Sequence, residues 1–195
     1  MKTFTTALRV TLVTLVLTGL VYPLASTGAA QLIFPRQSAG SLVTDEKGAV
    51  VGSELLGQGF TRPAYFQPRP SAAGDKGYDA TASSGSNLGP TSKKLQDRVA
   101  ADLARLQRDN PDAPGAPPSD LVTTSASGLD PHISPAAATW QIPRVAKARG
   151  VRIERIQEVV ERQIEGRELG FLGEPRVNVL LLNLALDLQF GKPRS

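Results

Sequence analysis

The chain has 195 residues, no cysteine and a formal net charge of +4 from 22 basic and 18 acidic side chains. The missing cysteine excludes disulfides, thiolate metal sites, a cysteine nucleophile and a lipidated cysteine anchor. The positive excess comes from two places: Lys2 and Arg9 with no acid before residue 36, and Arg144, Lys147 and Arg149 against Asp130 between residues 121 and 150. A nucleic-acid binder gathers charge on one face to displace counterions, so nucleic acid is not an expected partner.

Apolar residues make up 41% of the chain, enough for a core, while 18 Gly and 15 Pro point to a loop-rich fold. With one Trp, three Tyr and six Phe, that core must be built mainly from Leu, Val, Ile and Ala.

From Val10 to Pro35 no residue is charged, and residues 10–30 are long enough to cross a bilayer core of about 30 Å. Thr11, Thr14 and Thr18 can bond back to carbonyls of their own helix, and Pro23 lies near the outer end, where a kink is tolerated. Lys2, Arg9 and the terminal amine precede the segment and Arg36 follows it. The positive-inside bias therefore puts residues 1–9 in the cytoplasm and residues 35–195 outside. The residues alone leave a second reading open: a signal peptide cleaved after Gly28-Ala29-Ala30, giving an exported binding or scaffold protein.

Residues 35–90 are punctuated by Gly and Pro, with residues 50–56 the best strand candidate. Residues 61–70 form an extended run whose Tyr65 and Phe66 can pack on a core or a partner. A helix is predicted from a Thr91 or Ser92 cap, with Leu95, Val99, Leu103 and Leu106 on one face and Asn110-Pro111 as its stop. Ser134-Pro135 opens the next, which reaches Arg149 with a bend at Pro143 and ends at Gly150. Residues 151–165 form a third, with Ile153, Ile156, Val160 and Ile164 inward and Gly166 as a left-handed cap. Residues 177–188 read as a buried helix capped near Asn178 that can begin as a strand. The fold class is α+β: one N-terminal transmembrane helix, then a single loop-rich extracytoplasmic domain.

Chemistry-bearing motifs are sparse. The mononucleotide loop is absent, since the glycines of residues 166–173 lack the Lys and Ser/Thr that hold phosphate and metal. Asp75-Lys76-Gly77 starts like the phosphorylated Asp-Lys-Thr-Gly-Thr of P-type pumps and departs at the third residue. Ser127, Asp130 and His132 lie close in sequence without a nucleophile elbow or oxyanion loop, so turn chemistry explains them better than a hydrolytic triad. One histidine with scattered carboxylates has no zinc-ligand spacing. Arg144 and Lys147 read as a solvated edge able to meet an acidic partner. Residues 83–91 stand out: Gly85 and Gly89 let the backbone turn, and successive N–H groups can form an anion-binding nest, although a plain loop into the next helix fits the pattern too.

That segment also carries a resemblance. Ser84-Gly85-Ser86-Asn87-Leu88-Gly89-Pro90-Thr91 resembles a signature of the C subunit of the Kdp potassium-transporting ATPase. Collinear likenesses accompany it: Gly57-Gln58-Gly59-Phe60, Tyr65-Phe66-Gln67-Pro68-Arg69-Pro70-Ser71-Ala72, Asp120-Leu121-Val122-Thr123, Ser127-Gly128-Leu129-Asp130-Pro131-His132-Ile133-Ser134, the run from Gln141-Ile142-Pro143-Arg144 to Arg149, and Gly170-Phe171-Leu172-Gly173-Glu174-Pro175-Arg176-Val177-Asn178. Ser92, where Asn is expected, is a departure.

The resemblance implies a non-catalytic, single-pass subunit of the cell inner membrane with an uncleaved anchor in the lipid and a periplasmic domain. Its implied partners are the potassium-conducting and ATP-hydrolysing subunits. It implies a catalytic chaperone without a cofactor of its own, which raises the ATP affinity of the hydrolysing subunit through a transient ternary complex. Ser84, Gly85, Ser86, Asn87 and Gly89 are then the candidate loop for nucleotide or partner contact. The topology conflicts with direct ATP contact, because ATP is cytoplasmic. The expectation is therefore that the domain packs on the outer face of the potassium-conducting subunit and that any ATP effect passes through the anchor.

Overall fold

The computed structural model describes residues 2–45 and 47–193, and the chain divides after Val43 into two compact units. The first is dominated by helix. α1 (Lys2–Val16), a π-turn (Leu17–Val21) and α2 (Tyr22–Ile33) run without a break, followed by the short α3 (Pro35–Ser38). The stretch Lys2–Ile33 is long and apolar enough to cross a membrane and buries none of its most apolar window. It extends beyond residues 10–30 at both ends because nothing before Phe34 ends it; Pro23 falls in the first turn of α2, directly after the π-turn.

The chain enters the second unit through β1 (Leu42–Thr44). The Asp45 carboxylate there accepts from the Lys47 and Ala49 N–H groups, closing a turn ahead of β2 (Val50–Ser53). A long irregular segment leads to α4 (Lys93–Asp109). Then come β3 (His132–Ile133), α5 (Pro135–Arg149), α6 (Ile153–Arg162), β4 (Ile164–Glu165), β5 (Arg176–Asn178) and α7 (Val179–Phe190). β5 is the middle strand of an antiparallel sheet ordered β3-β5-β4, with Val177 opposite both Ile133 and Ile164. α5 packs on α6 and β5, and α6 on α7. The core gathers Phe66, Leu106, Leu121, Ile156, Val160, Val177, Leu182 and Leu186, each aliphatic side chain contributing about 1.5–3 kcal/mol by leaving water.

Several helix ends follow the capping chemistry of the sequence. The Ser134 hydroxyl accepts from the Ala137 N–H, Pro135 opens α5, and Gly150 closes it in the left-handed region at φ 64°. Asn178 ends β5 and caps α7 through the Leu181 N–H.

Other readings are corrected. Ser92 occupies the cap position of α4, yet its side chain makes no capping bond. Arg98 and Arg105 are half-buried on α4, and Arg98 Nε is buried without a partner. The third helix stops at Arg162, because Ile164 and Glu165 pair with β5; Gly166 is not left-handed, and Val159 rather than exposed Ile153 joins the core.

Arg144 is the largest departure. It is 7% exposed, not a solvated edge. Its Nε donates to Asn110 Oδ1 at 2.7 Å and its Nη2 to Gln141 Oε1 at 2.6 Å, while Nη1 reaches the Pro63 and Tyr65 carbonyls. Burial pushes its pKa down to about 10, so it stays charged at neutral pH. Lys147 does face solvent, where it pairs with Asp112 at 3.0 Å.

Candidate functional site

The candidate loop is stitched by its first half to residues 124–128. The Ser84 N–H donates to the Ser127 carbonyl at 2.9 Å, Ser83 Oγ donates to the same carbonyl at 3.0 Å, and Thr124 Oγ1 donates to Ser86 Oγ at 3.3 Å. Small residues make this approach feasible. A Cβ on Gly128, whose φ is 67°, would meet the Ser84 carbonyl oxygen at 2.5 Å, and one on Gly85 would meet the Ala126 oxygen at 2.9 Å.

Beyond Ser86 the loop turns outward. Asn87 adopts a positive φ of 50° and is exposed, as are Gly89, Pro90 and Thr91, while Leu88 is half-buried. Around Gly89 a Cβ would meet nothing within 4 Å, and its carbonyl accepts from the Ser92 N–H just before α4. The Ser84 N–H is therefore spent inside the protein and is not free to serve an anion nest.

The same hub collects segments distant in sequence. The Gly57 N–H donates to the Leu129 carbonyl at 2.7 Å. Ser71 Oγ donates to the Gly128 carbonyl at 2.6 Å and accepts from the Ala73 and Tyr78 N–H groups. Arg69 pairs with Asp130 at 2.8 Å, and the Tyr78 hydroxyl donates to the Arg69 carbonyl at 2.6 Å. Burial pushes the Tyr78 hydroxyl up to about 12. Asp130 is held below its ordinary value: its burial works the other way but is outweighed by bonds from the His132 side chain and N–H and by Arg69.

The other chemical candidates have structural employment. Ser127 Oγ accepts from the Leu129 N–H and Asp130 Oδ1 from the His132 N–H at 3.0 Å, so both organise a turn, and His132 Nδ1 lies 3.4 Å from the same Asp130 oxygen. Three open clefts of about 310, 320 and 290 Å³ lie elsewhere, and none is walled by residues 84–89. The candidate loop lies on the surface outside these three clefts. No group of three or more metal-ligating side chains occurs among the described residues.

Two further arrangements carry no signal in local sequence. Asp187 accepts from Arg149 Nη2 and from the Tyr65 hydroxyl, both at 2.8 Å, and the Arg149 guanidinium stacks 5.0 Å from the Tyr65 ring centre. Burial and the bond to Asp187 push the Tyr65 hydroxyl up. Buried Gln141 and Asn183 together hold Phe66 and Gln67 from α5 and α7.

The profile of the family described as KdpC, the c chain of the K+-transporting ATPase, matches residues 4–188. The chain belongs to the KdpC family. It is 68% identical over 190 residues to a potassium-transporting ATPase KdpC subunit of Myxococcus xanthus, covering 97% of this chain and 90% of the relative. The KdpC subunit of Caulobacter sp. strain K31 is 57% identical over 175 residues, covering 90% and 88%, and that of Koribacter versatilis 54% over 187 residues, covering 95% and 94%. The KdpC match takes in the apolar helix and the second unit from β2 into α7. Of the KdpC-like segments, residues 57–60, 84–91 and 127–134 meet at the hub through backbone hydrogen bonds, and residues 65–72 join it through the side chains of Arg69 and Ser71.

Proposed function

We propose that this chain is a non-catalytic subunit of an ATP-driven potassium-uptake pump, held in the membrane by Lys2–Ile33 and acting on subunits that conduct potassium and hydrolyse ATP. The observation that carries this is the family match from residue 4 to residue 188, which includes the apolar helix. Lys2 and Arg9 in the N-terminal turns of that helix, before its uncharged stretch, favour a cytoplasmic N-terminus and an extracytoplasmic second unit.

In this reading the loop of residues 84–89 is a partner-contact strip whose inner half is fixed by Ser127 and whose outer half, Asn87 to Thr91, is presented. The chain acts as a catalytic chaperone, raising the ATP affinity of the hydrolysing subunit through a ternary complex. Because the strip lies on the side away from cytoplasmic ATP, it docks on the outer face of the potassium-conducting subunit, and the effect on ATP passes through the anchor. It brings no cofactor of its own.

The chain has no native cysteine, so Asn87→Cys gives a single labelling site. In intact cells producing this variant without its partners, an impermeant maleimide should label it, and assembly with the pump should protect it. Labelling only after the membrane is opened overturns the topology.

A further inference from the structure

Inside Lys2–Ile33 the helical hydrogen-bond ladder slips. The Tyr22 N–H bonds to the Leu17 carbonyl, five residues back, and not to Thr18. The next residue is Pro23, which has no N–H. The π-turn over Leu17–Val21 likewise aims the Val21 N–H at Val16. The main-chain donors within reach of the Thr18 carbonyl are thereby lost. Among the described residues no side chain donates to it; the Thr18 hydroxyl itself donates to the Thr14 carbonyl at 2.8 Å.

Thr18 lies near the middle of the 32-residue helix, where a bilayer is driest and an unsatisfied carbonyl is most costly. Thr11, Thr14 and Thr18 are spaced i, i+3 and i+7 and share one face, with Tyr22 one turn beyond. At Gly19, beside Thr18, an added Cβ would have only the Leu15 Cδ1 atom near it, at 4.0 Å, so another backbone can approach closely.

We propose that this face, centred on the Thr18 carbonyl, is the contact surface for a transmembrane helix of another subunit that presents a side-chain hydroxyl or amide donor at mid-membrane. The inference rests on the reading of Lys2–Ile33 as a membrane anchor. A second copy of this chain is the poorer fit, because a symmetric pair sets one orphan carbonyl against the other, and the Thr18 hydroxyl already serves its own helix.

The test uses the full chain in membranes with its pump subunits, carrying photoreactive benzoylphenylalanine at Thr14, Tyr22, Val16 or Leu20 in turn. Thr14 and Tyr22 should cross-link to another subunit, while Val16 and Leu20, on the opposite face, should label mainly lipid. Pro23→Ala restores an N–H, gives the ladder its own donor and should lower co-purification about threefold to tenfold, the reach of one interhelical hydrogen bond. Equal protein labelling from all four positions, a product that is only a dimer of this chain, or undiminished co-purification of Pro23→Ala overturns the proposal. Release of the chain by alkaline carbonate instead overturns the anchor reading beneath it, and the two failures are told apart in the same membranes.

Discussion

The side-chain amide of Asn183 forms with Phe66 both hydrogen bonds that a neighbouring strand would supply: Oδ1 accepts from the Phe66 N–H at 2.8 Å and Nδ2 donates to the Phe66 carbonyl at 3.0 Å. Gln141 repeats the pattern at Gln67, accepting at 2.8 Å and donating at 3.1 Å. An irregular segment is thus held by two helices as if by a sheet, and Phe66 is delivered into the core. Asn183→Leu keeps the volume roughly and strands two buried backbone groups, at about 1–3 kcal/mol each. Thermal unfolding in detergent should show a melting point lower by roughly 4–24 °C; an unchanged midpoint contradicts this role.

Arg144 does the same work on the stretch of chain just before, joining the α4 cap residue Asn110 to the Pro63 and Tyr65 carbonyls. Arg144→Met should cost about 3 kcal/mol or more, since it leaves four acceptors without their shared donor. Arg144→Lys cannot reproduce the planar fork and should recover only part of that loss. Denaturant midpoints of the three proteins, in the order Arg, Lys, Met, check the prediction.

Gly128→Ala tests the hub beneath the candidate loop. The new methyl must displace the Ser84 carbonyl or the Ala73 N–H, and φ 67° disfavours any L side chain. A loss of about 2 kcal/mol or more is expected, together with faster proteolysis within residues 84–91. Ala at Gly89, where a Cβ meets nothing, should change stability by less than about 1 kcal/mol.

Acid sensitivity should trace to Asp130. Its folded pKa lies below the ordinary carboxylate value, so it contributes stability above the unfolded pKa and loses it as pH falls through the folded one. The wild type should therefore lose this contribution below about pH 4. Asp130→Asn should be less stable at pH 7 and show a flatter acid limb; parallel acid limbs would remove Asp130 as the cause.

Much of the local architecture is legible in the sequence because its causes are local. Ser134-Pro135, Gly150, Asn110-Pro111 and Asn178 mark ends through capping and backbone chemistry that a few adjacent residues determine. The apolar anchor is legible from an uninterrupted run without charge. Arg144, Gln141 and Asn183 are not, because their partners are backbone groups 74 to 117 residues away for the amides, and nothing in a helical period announces them. Ile164 departs from its expected helix for the same reason: a helix-compatible spacing yields to pairing with Val177. Of the candidate site, the segment itself is visible, but its division into a fixed inner half and a presented outer half depends on Ser127 and Gly128, far along the chain.

We propose above that this chain is an anchored, non-catalytic subunit that sharpens the ATP affinity of a potassium pump. The most direct test is to purify the pump from membranes with and without the full-length chain and measure potassium-stimulated ATP hydrolysis against ATP concentration. The chain should co-purify with the hydrolysing subunit, and its presence should lower the KM for ATP. A chain that purifies alone, beside a pump whose ATP dependence is the same without it, would contradict this role.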